Sequence, residues 1–451
     1  MASLLSALIP GAGQIYAGDR VRGRKLILID LTLIVLLVVA VLFFRAEVLK
    51  AWLSLNVVSL IMVGNIALLG FRAWAAYDAY YLMETPAASP LAGGVLAGFL
   101  VFVVVMMPHV AFGYLNVTHY SFLADESVFA PPATTSPTSP NNPGPTTPGD
   151  PGTTPTTVLS PVLWDGLEQL NILLIGADVG AGRTGIRTDT LILVSIDPQT
   201  GDAAMVSLPR NMTAFELPEG MGRWDLFPQL INDIYSMAEE NPDQFPGPGE
   251  PGPRALKATV GHMLGVEVHY YAMVSMDGFI GIVDALGGVE MDVPSRIVDE
   301  EYPHEDGVTI EHVVIEAGTQ HLDGHNALAY ARIRRHADDF ARMNRQRCVL
   351  GAVLEQTNPI ELLARYGSIT GVLRENLSTD IPRDRLVDFI DIMPKMNTEK
   401  IGAMHVNRDY EVGPGESRGT VYDMDRILRD AQALIADPSS GSSANLEGAC
   451  D

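Results

Sequence analysis

The sequence predicts an α/β layered domain carried behind a multi-span helical membrane region. Three observations predict it. Three apolar runs near the N-terminus are each long enough to cross a bilayer, a Pro/Thr/Ser-rich stretch follows them, and beyond it strand-like and helix-like patterns alternate. At 451 residues the chain is too long for one small domain and ample for a sizeable core.

The apolar runs are Leu26–Phe44, Trp52–Phe71 and Leu91–Tyr114. A helix needs roughly 20 such residues to span the hydrocarbon core. Arg20, Arg22, Arg24 and Lys25 precede the first run and favour the cytoplasmic side. Three crossings then make this a multi-pass cell-membrane protein whose C-terminal domain is extracytoplasmic. The opening "LLSALIPGAGQIYAG" is apolar but broken by Pro10 and glycines, so it reads as a re-entrant or interfacial segment. A fourth span there would reverse the orientation. No basic n-region precedes an h-region and cleavage site, so no cleavable signal peptide is expected.

Residues 116–160 read as a linker. Pro131–Val158 is too rich in Pro, Thr, Ser and Gly to bury a core, and at ~3.1 Å per residue it would reach on the order of 80 Å if polyproline-like.

The region 161–437 holds the α/β domain. "LNILLIGAD" is a buried strand ending in a loop, and "TLILVSIDPQTGDAAMVSLP" is two strands joined by "DPQTGD". Pro242–Pro253 breaks the pattern and reads as a surface insertion. "ALKATVGHMLG" has helical spacing. "VHYYAMVSMDGFIGIVDALGGVEMDV" reads strand, helix, Gly-Gly turn, strand. "LDGHNALAYARI" is a helix capped by Asp323, and "DDFARMNRQRCVLGAVLEQ" is another, capped by Asp338 or Asp339. Alternation of this kind argues for layers of helix and sheet. Residues 438–451 read as a loose tail.

The formal net charge of −24 argues against nucleic-acid binding, which needs a broad basic footprint. Two cysteines, Cys348 and Cys450, exclude a disulfide scaffold or zinc ribbon. They either pair or stand as a buried and a free thiol.

Within this acidic chain, "ALAYARIRRHADDFARMNRQR" gathers six arginines and no lysine. Asp339, Arg342 and Gln346 fall three and four residues apart on one helical face. They lie in the first turns, where free N–H groups and the helix dipole favour an anion. Arg332 and Arg334 end the preceding helix. Arginine offers a planar fork that matches phosphate oxygens, so the set reads either as a phosphate or pyrophosphate site or as a solvated basic face balanced by surface carboxylates. Upstream, "GADVGAGRTGIRTDT" carries Asp178, Arg183, Arg187 and Asp189. The two carboxylates either hold Mg²⁺ together with substrate phosphates or simply cap the loop. "SLPRN" adds Arg210. The loop lacks Gly-Lys-Ser/Thr and is no P-loop. His321 and His325 sit four apart, but no third zinc ligand is apparent. Gly287 and Gly288 serve a turn.

In combination, "IGAD…RTDT…SLPRN", "VDALGGVEMDVP" and "LDGHNALAYARIR…DDFARMNRQR" resemble the LytR–CpsA–Psr family of bacterial cell-envelope proteins, over roughly residues 168–355. The resemblance implies a mixed central β-sheet flanked by helices. It also implies a membrane-anchored phosphotransferase that moves a glycopolymer from a polyprenyl-pyrophosphate carrier to peptidoglycan. Asp178 and Asp189 match the family's Mg²⁺-associated carboxylates. Arg187, Arg210, Arg332, Arg334, Arg342 and Gln346 match its pyrophosphate-binding set. Asp339 matches its acidic residue, as a general base or as an arginine-orienting group, and with Arg332, Arg334 and Arg342 makes up the expected catalytic set. "LINDIY" matches a "KIN" stretch at Asn232. Asn211 stands where the family has Asp, and Leu230 where it has Lys. The implied partners are a polyprenyl-pyrophosphate-linked glycan, peptidoglycan and the membrane. A lipid would need an apolar cleft, for which "AAMVSL" and "RALKATVGHMLG" are candidate walls. A lipid-pyrophosphate hydrolase and a non-catalytic binder of anionic polymer are the competing readings.

Overall fold

The computed structural model describes residues 1–83, 91–125, 128–129, 164, 167–178, 186–304, 308–333, 339–356, 365–392, 395–396, 401–416, 419–440 and 442–443. The chain divides into two compact units, Met1–Asp125 and Glu126–Asp451.

The first unit is helical: α1 (Ala2–Leu8), α2 (Ala12–Tyr16), α3 (Arg20–Phe43), α4 (Arg45–Trp52), α5 (Leu55–Tyr81) and α6 (Leu91–Leu123). Three helices are long and apolar enough to cross a membrane: α3, α5 and the Gly98–Leu123 part of α6. At 1.5 Å per residue α3 is about 36 Å long, against a hydrocarbon core of about 30 Å. Their bounds differ from the apolar runs. The Asp19 side chain accepts from the Arg22 N–H and starts α3 at Arg20, inside the basic cluster. Trp52 closes α4 rather than opening a span. The opening segment forms α1 and α2, each too short to cross a bilayer. It is sewn to α5: Gln14 Nε2 donates to the Ala75 carbonyl at 2.8 Å and to Asp78 at 3.0 Å. Asp30, buried on α3, lies 3.4 Å from Arg72 of α5, as an intramembrane charge requires a partner.

The second unit begins with β1 (Leu170–Asp178), β2 (Arg187–Ile196) and β3 (Ala203–Leu208), followed by α7 (Ile234–Glu240), α8 (Pro251–Leu264), β4 (Tyr270–Ser275) and α9 (Met276–Leu286). Next come β5 (Val289–Val293), β6 (Ile297–Pro303), β7 (Ile310–Ile315), β8 (Gly318–Leu322), α10 (Gly324–Arg332) and α11 (Asp339–Glu355). It closes with α12 (Tyr366–Asn376), β9 (Leu377–Thr379), α13 (Leu386–Ile392), β10 (Gly402–His405), β11 (Glu411–Pro414), β12 (Thr420–Tyr422), α14 (Met424–Ala436) and β13 (Ser442–Ser443).

The central sheet is mixed and seven-stranded, in the order β13-β10-β3-β2-β1-β4-β9. β1 runs parallel to β4 and β3 to β10, while β2 is antiparallel to both β1 and β3. The carboxyl ends of β1, β3, β4 and β10 and the start of β2 therefore share one end of the sheet. β2 is apolar on both faces because both are covered. Leu191 and Leu193 meet α7, α8 and α14, and Ile192 and Ile196 meet Trp164, Ile392 and Leu350 of α11. A smaller core joins the β5–β8 antiparallel pair and the β6–β7 hairpin to α9, α10 and α11. Gly287 and Gly288 make the α9–β5 turn with φ of 89° and 93°, where a side chain would be strained.

Pro242–Pro253 is not a surface insertion throughout. Phe245 is fully buried in the main core, and Pro251–Pro253 form the first turn of α8, where proline's missing N–H costs nothing. Pro242, Asp243 and residues 246–250 lie exposed. The two candidate cleft walls face each other across a filled core. Ala204, Val206 and Leu208 of β3 pack in one cluster with Leu256, Val260 and Leu264 of α8. A cavity of about 530 Å³ lies instead along α8 beside Arg254, Lys257, Tyr271 and Asp380. Tyr271 and Asp380 put it toward the amino end of β4, away from the shared carboxyl ends.

Candidate functional site

The shared carboxyl end of the sheet collects the upstream candidates. Asp178 ends β1 and Arg187 begins β2, directly opposite it. The β1–β2 register shifts at Gly176/Ala177, where Gly176 faces Thr190 and Ala177 faces Thr188. Asp189 is the extra residue of this bulge, a device that re-aims a side chain. Its carboxylate meets two donors. Arg210, just past the end of β3, donates through Nη1 to Oδ2, and Asn232 donates through Nδ2 to Oδ1 at 3.2 Å. Asn232 is buried, Asp178, Asp189 and Arg210 are half-buried, and Arg187 is exposed. This is a floor of alternating charge with one guanidinium facing solvent. Arg183 lies outside the described residues.

Asn211 donates to the Thr420 hydroxyl at 3.1 Å and accepts from the Tyr422 hydroxyl at 3.4 Å. The amide thus ties the loop after β3 to β12, using a donor that aspartate lacks. Leu230 takes part through its backbone: its N–H donates to the Asp233 carboxylate at 3.3 Å and its carbonyl accepts from the Asp233 N–H at 2.9 Å.

The arginine helix reaches the same end of the sheet. Arg347 of α11 contacts His405, the last residue of β10, at 3.4 Å between Nη1 and Nδ1. His405 is in register with Ser207, near the point where β3 runs out toward Arg210. Burial pushes the His405 imidazole below its ordinary pKa, and the adjacent Arg347 adds to this. Burial also lowers Arg347 itself.

The structure divides the four arginines of this stretch that lie among the described residues, Arg332, Arg342, Arg345 and Arg347. Arg345 donates through Nε to the Tyr330 carbonyl at 2.7 Å and through Nη2 to the Ile333 carbonyl, closing the end of α10. Arg347 is buried beside His405. Arg332 is half-buried and donates to the Tyr302 hydroxyl at 3.0 Å, its guanidinium 5.5 Å from the ring centre. Gln346 is half-buried on the expected face. Arg342 shares that face and is buried, only 3% exposed. Arg334 and the side chain of Asp339 lie outside the described residues. Asp339 is the first described residue of α11.

Periodicity did not reveal Tyr302, the platform under Arg332, or the Arg347–His405 contact. Both partners come from distant segments. Cys348 is fully buried and disulfide-bonded; Cys450 lies outside the described residues.

The chain belongs to the LytR_cpsA_psr family, whose match covers residues 151–430, more than half its length. It is 33% identical over 224 residues to polyisoprenyl-teichoic acid–peptidoglycan teichoic acid transferase TagU of Bacillus anthracis (strain CDC 684 / NRRL 3495), over 49% of this chain and 64% of that protein. The like-named protein of Oceanobacillus iheyensis is 30% identical over 227 residues, covering 50% of this chain and 62% of its own. The chain thus spans less than two-thirds of the length of these relatives. The crystal structure of Bacillus subtilis TagV aligns at 24% identity with a TM-score of 0.46, over 61% of this chain and 98% of that one.

Proposed function

We propose that this chain is a membrane-anchored phosphotransferase. It moves a glycopolymer from a polyprenyl-pyrophosphate carrier to a peptidoglycan sugar hydroxyl, on the extracytoplasmic side. One observation carries the reading. In a chain of this family, the Asp189–Arg210–Asn232 network, Asp178 and Arg187 gather at the carboxyl end of the parallel strands. Open α/β sheets bind ligands at that end. The basic cluster at Arg20–Lys25 supports the orientation.

The chemistry asks for positioning and charge neutralisation. The acceptor hydroxyl attacks the phosphorus that bears the sugar. Its bond to the bridging oxygen breaks, polyprenyl phosphate leaves, and a phosphodiester remains. Arg187, Arg210 and Arg332 grip the pyrophosphate oxygens, with Gln346 beside them and Arg342 backing the helix. Asp189 aligns Arg210. Asp339 takes the acceptor proton or orients the arginines. Two carboxylates at one strand end form a hard-oxygen set that fits Mg²⁺, with substrate phosphates completing its shell. Asp178 and Asp189 together would hold the ion, Asp189 while it also meets Arg210 and Asn232. Bound there, Mg²⁺ would offset pyrophosphate charge.

The test supplies full-length protein in detergent with a polyprenyl-pyrophosphate-linked glycan, with and without peptidoglycan. Acceptor-dependent release of polyprenyl phosphate together with a covalent glycan–peptidoglycan product is expected. Release independent of acceptor would make the protein a hydrolase, and no release would make it a binder.

A further inference from the structure

Across the smaller core from α11, three side chains converge that the proposed transfer does not use. His304 follows the end of β6, Glu311 lies on β7, and His325 is in the first turn of α10. Their ligand atoms all lie within 4.8 Å of one another, and each residue is half-buried. His325 Nε2 is 2.6 Å from Glu311 Oε1, and the His304 and His325 rings stack with centroids 5.4 Å apart. His321 is not part of the group. It lies on β8 against Gly288, so the ligands missing from "HLDGH" come from the β6–β7 hairpin.

A second observation points the same way. In "IEHVVI" the inward row of β7 is Glu311, Val313, Ile315, with Val313 and Ile315 buried in the smaller core. Glu311 faces buried Tyr302 across the hairpin. A carboxylate thus stands where the alternation calls for an apolar side chain, and a charge there needs a pairing cation or a metal. The frame is rigid. His304 N–H donates to the Thr309 carbonyl at 2.9 Å, which closes the hairpin. Gly324, next to His325, lies so close to the Ile280 carbonyl that a Cβ would come within 2.2 Å of its oxygen. Its N–H donates to Asp284 at 2.7 Å.

We propose that His304, Glu311 and His325 form a binding site for a divalent transition metal, Zn²⁺ foremost. Two imidazoles and one carboxylate are a three-ligand zinc set that leaves a fourth position for water. Imidazole nitrogen selects Zn²⁺ and its neighbours over Mg²⁺, which prefers oxygen. Zinc bonds of about 2.0–2.2 Å hold ligand atoms roughly 3.3 Å apart in a tetrahedron. Small side-chain rotations bring the three atoms to that spacing, and the His325–Glu311 contact opens by less than an ångström. The site adjoins the arginines. Tyr302, two residues before His304, packs edge-on to His325 at 6.0 Å and accepts from Arg332. A metal there fixes the platform beneath Arg332. This last consequence rests on the proposed phosphate-gripping role of Arg332; the metal site does not.

The experiment is calorimetric titration of untagged, metal-stripped full-length protein in detergent with Zn²⁺, in excess Mg²⁺. One equivalent should bind, and His304→Ala and Glu311→Gln should each weaken it at least tenfold. His312→Ala, an exposed neighbour on β7, should leave it unchanged. Glu311→Gln keeps the shape of the side chain, so its loss of binding cannot be laid to unfolding. No saturable Zn²⁺ binding, binding unaltered by both ligand variants, or displacement by millimolar Mg²⁺ would each overturn the site. If the site is coupled to Arg332, Zn²⁺ also lowers the KM for the pyrophosphate substrate severalfold in wild type and not in His304→Ala. An unchanged KM would remove the coupling and leave the metal site standing.

Discussion

The carboxyl end of the sheet and the body of α11 both present arginine, and they hold it in different ways. At the sheet end, Arg210 is aligned by a carboxylate and Arg187 faces solvent. In the body of α11, Arg345 is engaged by two main-chain carbonyls and Arg347 is buried beside the His405 imidazole. A guanidinium aligned by a carboxylate still has donors for a phosphate. One that caps a neighbouring helix is a structural tie. The acceptor therefore sorts the arginines by task, and their number in the sequence does not.

The largest effect expected is on Arg210→Ala. A hydrogen bond to a charged group is worth roughly 1.5–3 kcal/mol, so loss of the fork should cut transfer about a hundredfold while circular dichroism stays unchanged. Arg345→Ala should do the reverse. It strips donors from the Tyr330 and Ile333 carbonyls, costing about 1–3 kcal/mol, read as a lower thermal midpoint with near-normal turnover well below it. Asp178→Ala should raise the Mg²⁺ concentration for half-maximal transfer by at least about tenfold, checked by metal titration of the rate. Tyr302→Phe removes the acceptor for Arg332 but keeps the ring beneath it. A roughly fivefold rise in substrate KM, about 1 kcal/mol, is expected.

The smallest effect concerns pH. Burial, and then Arg347, hold His405 below its ordinary pKa, and burial does the same to His269. Below about pH 6.5 the unfolded chain takes up protons that the folded one refuses. Stability is therefore full above that value and is lost as pH falls toward the folded pKa values. Denaturant unfolding from pH 7.5 to 5 should show this slope, and His405→Gln should flatten it.

Much of the fold was legible because its signals are local. "LNILLIGAD" and "TLILVSI" are apolar on both faces, Asp323 caps α10, and Gly287–Gly288 turns α9 into β5. The segment Pro242–Pro253 misled because prolines at the start of a helix look like those of a loop. The candidate site was legible as a set of residues, since Asp178, Arg187, Asp189 and Arg210 all fall at strand ends. Its division was not. Nothing in "ARMNRQR" says that Arg345 reaches back to α10, that Arg342 is buried, or that Arg347 meets His405. The same holds for His325, whose neighbours Glu311 and His304 belong to another hairpin, although a glutamate on the inward row of "IEHVVI" was a visible exception to the alternation.

The central claim is that Arg210 at the sheet end, and not Arg345 of α11, grips the pyrophosphate. Equilibrium binding of a short-chain polyprenyl pyrophosphate to full-length protein in micelles tests it directly, with wild type, Arg210→Ala and Arg345→Ala compared at a temperature where all three are folded. The account predicts a loss of about tenfold to a hundredfold for Arg210→Ala and less than about threefold for Arg345→Ala, the latter a structural tie with no bond to the ligand. Equal losses, or unchanged binding by Arg210→Ala, would contradict it.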